Sequence, residues 1–494
     1  MTSVEHTIHR LREATRNSPY EGRLYLVGGL LRDRALGLPT PNDLDLVLEG
    51  DAIALAQFLY EQGLSQHYPV LYPRFGTAMI HIGAEGEESS MVELVSARAE
   101  SYQPDSRKPD VWQGTLKDDA YRRDFTINTL MENLHTGEVL DLTGRAWEDL
   151  RNGVIRTPLE PRLTFFDDPL RMLRAVRFAA RLDFQIETAT WEAVRDNAER
   201  LRPPAISAER IREEFVKIVL LPGPKVRRGL ELLLESRLLT QFVPEMLPMV
   251  GCTQNEWHLY DVWTHTLVAM EHLPDSARLE LRLGLLWHDV AKPSTRTEDE
   301  RGVHFYGHPK AGAEMARAMM HRLKFSNDEI QDVTQLVALH MRLGEYKPHW
   351  ADGPVKRLIR DCGDYLDDLF LLARCDIAAS NISAGEVVDL AGLRARIDAL
   401  NAITNVAKIV SPLDGNEIME TLGVGPGPHL RDAKEFLTNE VIEGRLAEGD
   451  KENARRLLRE WWKAVMPPSA SAAADTAERR LPGPDTSAKT PKSV

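Results

Sequence analysis

An α+β protein is predicted, a small sheet-bearing head followed by an all-helical body, and three observations predict it. Short apolar runs of strand length crowd residues 24–97, strand signals fade after about residue 120, and long amphipathic patterns then take over. At 494 residues and 43% hydrophobic, the chain can bury several cores.

The elements follow in order. LYLVGG (24–29) reads as a buried strand and LLRDRALG as a helix ending near Gly37. DLDLVLE, MIHIG and MVELVSA read as three further strands. SYQPDSRKPDVWQG, between Ala97 and Thr115, is polar and proline-punctuated and reads as a mobile loop. Three helical patterns come next: DDPLRMLRAVRFAARL, AERIREEFVKIVLL with Ser207 placed to cap it, and VRRGLELLLESRLL after the break at Pro222-Gly223-Pro224. A second helical region, about 255–385, carries most of the histidines, and a smaller helical piece contains GVGPGPHL. From Pro467 the composition falls to Ala, Ser, Pro and Thr, the signature of a disordered tail. The implied divisions are a head at 1–150, a helical region at 151–250, a histidine-rich domain at 251–400, a helical tail domain at 401–466, and the tail at 467–494.

The gross numbers exclude some functions. A formal net charge of −14 argues against a protein that coats nucleic acid non-specifically, while leaving room for a local basic groove. Cys252, Cys362 and Cys375 form neither a disulfide framework nor a CxxC metal site, which fits a reducing cytoplasm. The N-terminus lacks the apolar stretch of a signal peptide, and no apolar run approaches the roughly 18–20 residues that span a bilayer. A soluble cytoplasmic protein is expected.

In DLDLVLE, alternation puts Asp43 and Asp45 on one face, their Cα atoms about 6.5–7 Å apart, with Leu44 and Leu46 on the other. Such a pair is either a solvated strand edge or a holder of divalent ions against a triphosphate, as in two-metal phosphoryl transfer. Mg²⁺ suits the second reading because it takes oxygen ligands and keeps waters that phosphate oxygens replace. Gly28 and Gly29, lacking Cβ atoms, let a phosphate approach backbone N–H groups, and Arg32 adds a forked donor. No GK[ST] follows and the pattern is not GxGxxG, so neither common nucleotide loop is present.

The neighbouring motifs favour the metal reading. YRRDFTINTL places Arg122, Arg123 and Asp124 just past the polar loop. FFDDPLRMLRAVRFAARL places Asp168, Arg171, Arg174 and Arg177 at steps of three on one helix face. An acid followed by three arginines suits a groove where arginines meet phosphate and the acid meets a base.

The strand-GG-x-x-RD-turn-DxD head, RRDFTIN, DDPLRxLRAxRF and ERIxxEFxKI occur here in that order. Over residues 20–245 the chain resembles the bacterial class II tRNA nucleotidyltransferase / poly(A) polymerase family, whose head is polymerase-β-like. The resemblance implies that Asp43 and Asp45 bind catalytic Mg²⁺ and that Gly28, Gly29 and Arg32 hold the triphosphate. It implies that Arg122, Arg123 and Asp124 recognise ribose and phosphate, and that Arg174 and Arg177 neutralise phosphate. Asp168 and Arg171 correspond to the family's protein template, which pairs with the incoming base. A carboxylate only accepts hydrogen bonds and a guanidinium only donates them. Cytosine and adenine both offer an amino donor beside a ring-nitrogen acceptor, whereas uracil and guanine present a carbonyl to the carboxylate. An unpaired buried polar group costs about 1–3 kcal/mol, so one Asp/Arg pair accepts C and A and rejects U and G. The family commonly has Glu-Asp where this chain has Asp167-Asp168. Glu93 is a candidate third acid near the metals. The polar loop, with Arg98, Glu100 and Arg107, lies where the family's flexible loop accompanies the switch from C to A addition, and its full length favours A addition.

His265, His288-Asp289, His308, His340 and Asp376 form a second ordered set that resembles the HD phosphohydrolase superfamily. The resemblance implies a helical HD domain in which these six residues hold one or two divalent metals that activate water. Lys292 is a candidate phosphate contact. An inactive relic whose histidines only pack remains the alternative.

The leading expectation is CCA synthesis or repair at the tRNA 3′ end from CTP and ATP, with an HD phosphodiesterase or phosphatase activity besides and no membrane or protein partner. The alternatives are a poly(A) or A-only adding enzyme, and an HD phosphohydrolase with a non-catalytic RNA-binding head.

Overall fold

The computed structural model describes residues 3–40, 43–83, 90–101, 110–254, 258–380, 388–403, 406 and 409–465. Arg107 and the tail from Pro467 lie outside the described residues. The fold is α+β, as predicted.

In the head, α1 (Ser3–Thr15) precedes β1 (Leu24–Val27), α2 (Gly29–Ala35), β2 (Leu44–Leu48) and α3 (Ala52–Glu61). Then come β3 (Val70–Tyr72), β4 (Thr77–Ile82), β5 (Ser90–Ser96), β6 (Arg98–Ser101), β7 (Asp110–Gln113), α4 (Leu116–Tyr121), β8 (Met131–Asn133) and β9 (Val139–Leu140). Seven strands form one mixed sheet in the order β3-β4-β5-β2-β1-β8-β9, with β2 and β5 parallel at its centre. Leu44, Leu46, Val92 and Leu94 are fully buried, as apolar residues of a covered central strand must be. On the other face Tyr25, Val27, Val47 and Met131 pack against Leu116 and Ala120 of α4. That cover stops short of Asp45, whose end of the face stays open to solvent.

Two expectations change. The segment after Ala97 is not loop throughout, because β6 and β7 pair antiparallel from Arg98↔Gln113 to Ser101↔Asp110, with Glu100 opposite Val111. Strands also continue past residue 120, since β8 pairs with β1 and β9 with β8. Both are too short to show a period of two, and only the neighbouring sheet edge makes them strands.

The body contains α5 (Pro161–Asp167), α6 (Leu170–Leu182), α7 (Ala208–Val219) and α8 (Gly223–Glu235). It continues with α9 (Val262–Glu271), α10 (Leu279–Trp287), α11 (His308–Arg322), α12 (Asn327–Leu339) and α13 (Leu366–Ala378). Gly229 of α8 lets three helices meet: a Cβ there would stand 2.6 Å from Ile218 Cγ2 and 3.4 Å from Ala180 Cβ. Ser207 occupies the N-cap of α7 without the side-chain cap bond that its type suggests.

By contacts the chain forms two compact units, residues 1–341 with 368–387, and 342–367 with 388–494. This division is coarser than the five segments read from the sequence. The second unit is helical, with segments Asp352–Cys362, Leu390–Ile403, Gly415–Leu422, His429–Ile442 and Lys451–Val465 around buried Leu358, Ile397, Ile418, Leu437 and Leu458. Asp414 starts its Gly415–Leu422 helix through a capping box with Glu417. No described helix is long and apolar enough to cross a membrane.

Candidate functional site

Asp43 and Asp45 are both exposed while Leu44 between them is fully buried, so the alternation read from the sequence holds. Strand pairing sets Asp45 beside Glu93 of β5 and opposite Val27 of β1. The Asp45 carboxyl is reached by solvent yet has protein on most sides, as in a cleft. That enclosure, then the charges of Glu93 and Asp43, push its pKa up to about 6 against the pull of Arg123 and Arg174. Three carboxylates gathered in such a cleft are the donor set that could hold a divalent cation, whose charge would offset the repulsion that Glu93 and Asp43 add to burial.

Gly28 turns β1 into α2 with φ +76°, and a Cβ there would lie 3.1 Å from Asp45 Oδ2 and 3.8 Å from Arg123 Nη1. Only glycine combines this backbone with that approach. Gly29 opens α2, one turn from Arg32. Arg32 itself is 3% exposed: Nε donates to Asp33 Oδ1 (2.7 Å), Nη1 donates to Asn128 Oδ1 (2.8 Å), and the guanidinium lies over Phe178. Its place is therefore under the glycine turn rather than out in the cleft.

Asp119, fully buried, binds both guanidinium groups of the RRD segment: Arg122 donates to Oδ1 and Arg123 Nη2 to Oδ2 (2.8 Å). Asp124 accepts from its neighbour Phe125 N–H, from Asn128 Nδ2 (2.9 Å) and from Arg174 Nε (2.7 Å). Burial alone would raise its pKa, but Arg174 and the amide donor hold it down at about 2.

The expected stripe of one acid and three arginines changes in detail. Asp168 is not on the arginine helix: it follows α5 in extended backbone (φ −141°), and α6 begins at Leu170. Pro169 sits between them, and the residue before a proline is driven out of helical backbone. Asp168 instead accepts the Leu170 N–H (3.1 Å) and Arg210 Nη2 (2.8 Å). Arg171 reaches the Arg122 carbonyl (2.7 Å). Arg177 is 8% exposed and donates to Glu214 Oε2 (2.6 Å), so it faces inward, not toward a phosphate in the open cleft. Arg181 bonds Asp33 (3.0 Å), tying α6 to α2. The sequence reading missed Asp119, Asn128, Arg210 and Glu214. The ERIREEF segment offered the last two, but as part of an amphipathic helix rather than as partners.

The histidine set comes together in two adjacent trios, His265–His288–Asp376 and Asp289–His308–His340, each with ligand atoms within 4.8 Å. His288, His308 and His340 each direct Nδ1 to the carbonyl three residues earlier, at 2.7 Å. This assigns their protons to Nδ1 and leaves Nε2 lone pairs pointing inward, the usual arrangement for metal-bound histidine. The Nε2 atoms of His308 and His340 are 3.2 Å apart, and His265 Nε2 is 2.8 Å from Asp376 Oδ1. At these distances a proton on one nitrogen makes each contact a hydrogen bond, and with the protons on Nδ1 the same atoms are disposed to share a cation. Buried His288 Nε2 lies 3.1 Å from Asp289 Oδ2, so this carboxylate faces a histidine nitrogen as well as the Lys292 ammonium. Lys292 Nζ lies 2.7 Å from Asp289 Oδ2 and 3.4 Å from His258 Nε2, a histidine that the sequence reading passed over.

The poly(A) polymerase head domain family matches residues 24–156, the RNA- and SrmB-binding region of polymerase A matches 183–249, and the HD domain matches 257–384. The chain is 36% identical over 363 residues to a CC-adding tRNA nucleotidyltransferase of Thermus thermophilus, covering 71% of this chain and 78% of that one. It is 33% identical to an A-adding tRNA nucleotidyltransferase of Deinococcus radiodurans, covering 70% and 79%. The fold is similar to that of the Bacillus stearothermophilus CCA-adding enzyme in complex with CTP, with a TM-score of 0.64 at 20% identity over 94% of this chain and 99% of that one. On these identities and coverages, the chain belongs to the tRNA nucleotidyltransferase / poly(A) polymerase family, with an HD domain behind its head.

Proposed function

We propose that this protein adds C and A nucleotides to the 3′ end of tRNA, taking CTP and ATP without a nucleic acid template. The observation that carries the reading is the convergence of Asp43, Asp45 and Glu93 at the open end of the sheet beside the Gly28 turn. Asp43 and Asp45 hold Mg²⁺, which supplies charge neutralisation for the triphosphate and the attacking hydroxyl. The Gly28-Gly29 turn leaves room for phosphate, and Arg123 faces it from the other side. Asp119 fixes Arg122 and Arg123, so their outward N–H groups meet ribose and phosphate already oriented. Asp168 accepts the amino group of C or A while Arg171 donates to the ring nitrogen. Arg210 takes part of the Asp168 carboxylate and leaves lone pairs for the base. Binding of the tRNA end along the helices past residue 190 uses phosphate and shape contacts. Three free cysteines fit a cytoplasmic setting.

The histidine cluster holds a divalent metal and acts as a phosphohydrolase on a separate substrate, with Lys292 beside it to meet phosphate. The fit of inward Nε2 lone pairs around Asp289 supports this reading.

A second reading, addition of CC only or of A only, is favoured by the two relatives named for those partial activities. Offering tRNA that lacks CCA, CA or A with single nucleotides separates the readings. Incorporation of CTP twice and then ATP once supports full CCA synthesis. A product that stops at CC, or ATP addition that continues past one residue, overturns it.

A further inference from the structure

Helix α7 carries contacts to both candidate sites. On one side, near its start, Arg210 holds Asp168 (2.8 Å), and one turn later Glu214 accepts from Arg177 (2.6 Å) and lies 3.8 Å from Arg174. On the other side Phe215 stacks on Trp287 at 6.4 Å and 22°. Trp287 ends α10, the helix that delivers His288 and Asp289 directly after it.

The C-terminal end of α7 is locked from α10 by one side chain. Arg282 is 1% exposed, and among the described residues no carboxylate bonds its guanidinium; its donors go to backbone carbonyls. Nη1 donates to Val219 (3.2 Å) and Leu221 (3.1 Å) at the end of α7. Nε donates to Ala277 (3.0 Å), and Nη2 to Pro274 (3.1 Å) and Asp275 (3.2 Å). Five N–H groups meet five carbonyls, which is the full capacity of an arginine. Carbonyls at a helix C-terminus carry partial negative charge, so the buried cation is placed where the dipole favours it. A lysine has three donors and no planar fork, and cannot replace it.

The geometry points to Arg282 as a positioning residue for nucleotide selection: from the histidine-bearing domain it fixes α7, and α7 in turn fixes the Asp168 carboxylate and the α6 arginines. This rests on the reading of Asp168 and Arg171 as the base-selecting pair. Displacing α7 by a fraction of an ångström moves Arg210 and Glu214 together, because both ride on one rigid helix, and loosens the acceptor that separates C and A from U and G.

The test uses the full chain with Arg282→Met, Arg282→Lys and, as a second route to the same helix, Phe215→Leu. KM for CTP is expected to rise about tenfold and UTP misincorporation to rise with it, while kcat at saturating CTP changes less than about threefold; this stays short of the ~100-fold that a 1 Å misplacement can cost. Arg282→Lys should recover only part of the loss. Amide hydrogen exchange is followed in parallel at 219–221 and at 170–174. Faster exchange at both segments supports the inference; faster exchange at 219–221 alone, or unchanged KM and selectivity in both Arg282→Met and Phe215→Leu, overturns it. If Arg282→Met does not fold, Phe215→Leu decides. A wild-type protein that adds no nucleotide overturns the proposed function instead, and the two exchange segments still test the lock.

Discussion

Gly28 and Asp45 meet at the turn between β1 and α2: a Cβ on Gly28 would stand 3.1 Å from Asp45 Oδ2, closer than such a carbon ordinarily comes to an oxygen. Gly28→Ala therefore faces two penalties, a positive-φ backbone (φ +76°, ψ −136°) costing about 1–3 kcal/mol for a residue with a Cβ and a push on the acid proposed to hold magnesium. Nucleotide addition is expected to fall by about 100-fold in kcat/KM, with a modest drop in Tm. Steady-state incorporation and thermal melts measure both, and unaltered kcat/KM would remove this turn from the site.

Metal removal should expose the strain among the three acids. The pKa of Asp45 is raised to about 6 from an ordinary 3.8, so folding favours its neutral form. Its contribution is fully present below pH 3.8 and is lost as pH rises through about 6. In EDTA, Asp45→Asn should therefore melt higher than wild type at pH 7.5 and alike at pH 4. Wild type should gain Tm on adding Mg²⁺, and the variant much less. Identical melting of the two proteins in EDTA at pH 7.5 would contradict the enclosure of Asp45 and its crowding by Glu93 and Asp43.

Glu214 is 3% exposed and accepts from Arg177, itself 8% exposed. Glu214→Ala leaves a buried guanidinium unpaired, a change that typically costs about 3–5 kcal/mol. Urea unfolding of Glu214→Ala beside the double variant Glu214→Ala/Arg177→Met checks the cause. Partial recovery in the double variant is expected, since it removes the orphaned charge.

The histidine cluster should lose its metal without disturbing nucleotide addition. His308→Ala breaks the Asp289–His308–His340 trio, and metal content measured after dialysis is expected to fall. CCA incorporation should stay within about twofold, because an alanine at the first residue of α11 leaves α7 and α10 in place. Hydrolysis of a model phosphodiester should be abolished. Persistent metal at full stoichiometry would show that the trio is not the ligand set.

Motifs in the sequence marked the candidate site residues but not their bonding. Asp43 and Asp45 follow from strand period alone, since burying Leu44 and Leu46 leaves the aspartates no other face. The histidines could be recognised by their order along the chain because each is an uncommon residue in a helical context. Asp168 shows the limit: its spacing from the arginines is helical, yet Pro169 and the Leu170 N–H hold it outside α6. β8 and β9 were unreadable because strands of two or three residues exist only by pairing with an edge already present.

By itself, then, the sequence determined the sheet-then-helix order, the acid pair, the glycine turn and the residues of the histidine set, because these depend on local periodicity and residue type. Only the tertiary structure decided which arginines face inward, that Asp119 holds Arg122 and Arg123 while Glu214 holds Arg177, that Glu93 joins Asp45, and that Arg282 binds the end of α7. Those relations join positions far apart in the chain, 63 residues for Arg282 and Val219 and 96 for Arg32 and Asn128, and a buried charge takes whichever partner the packing brings within reach.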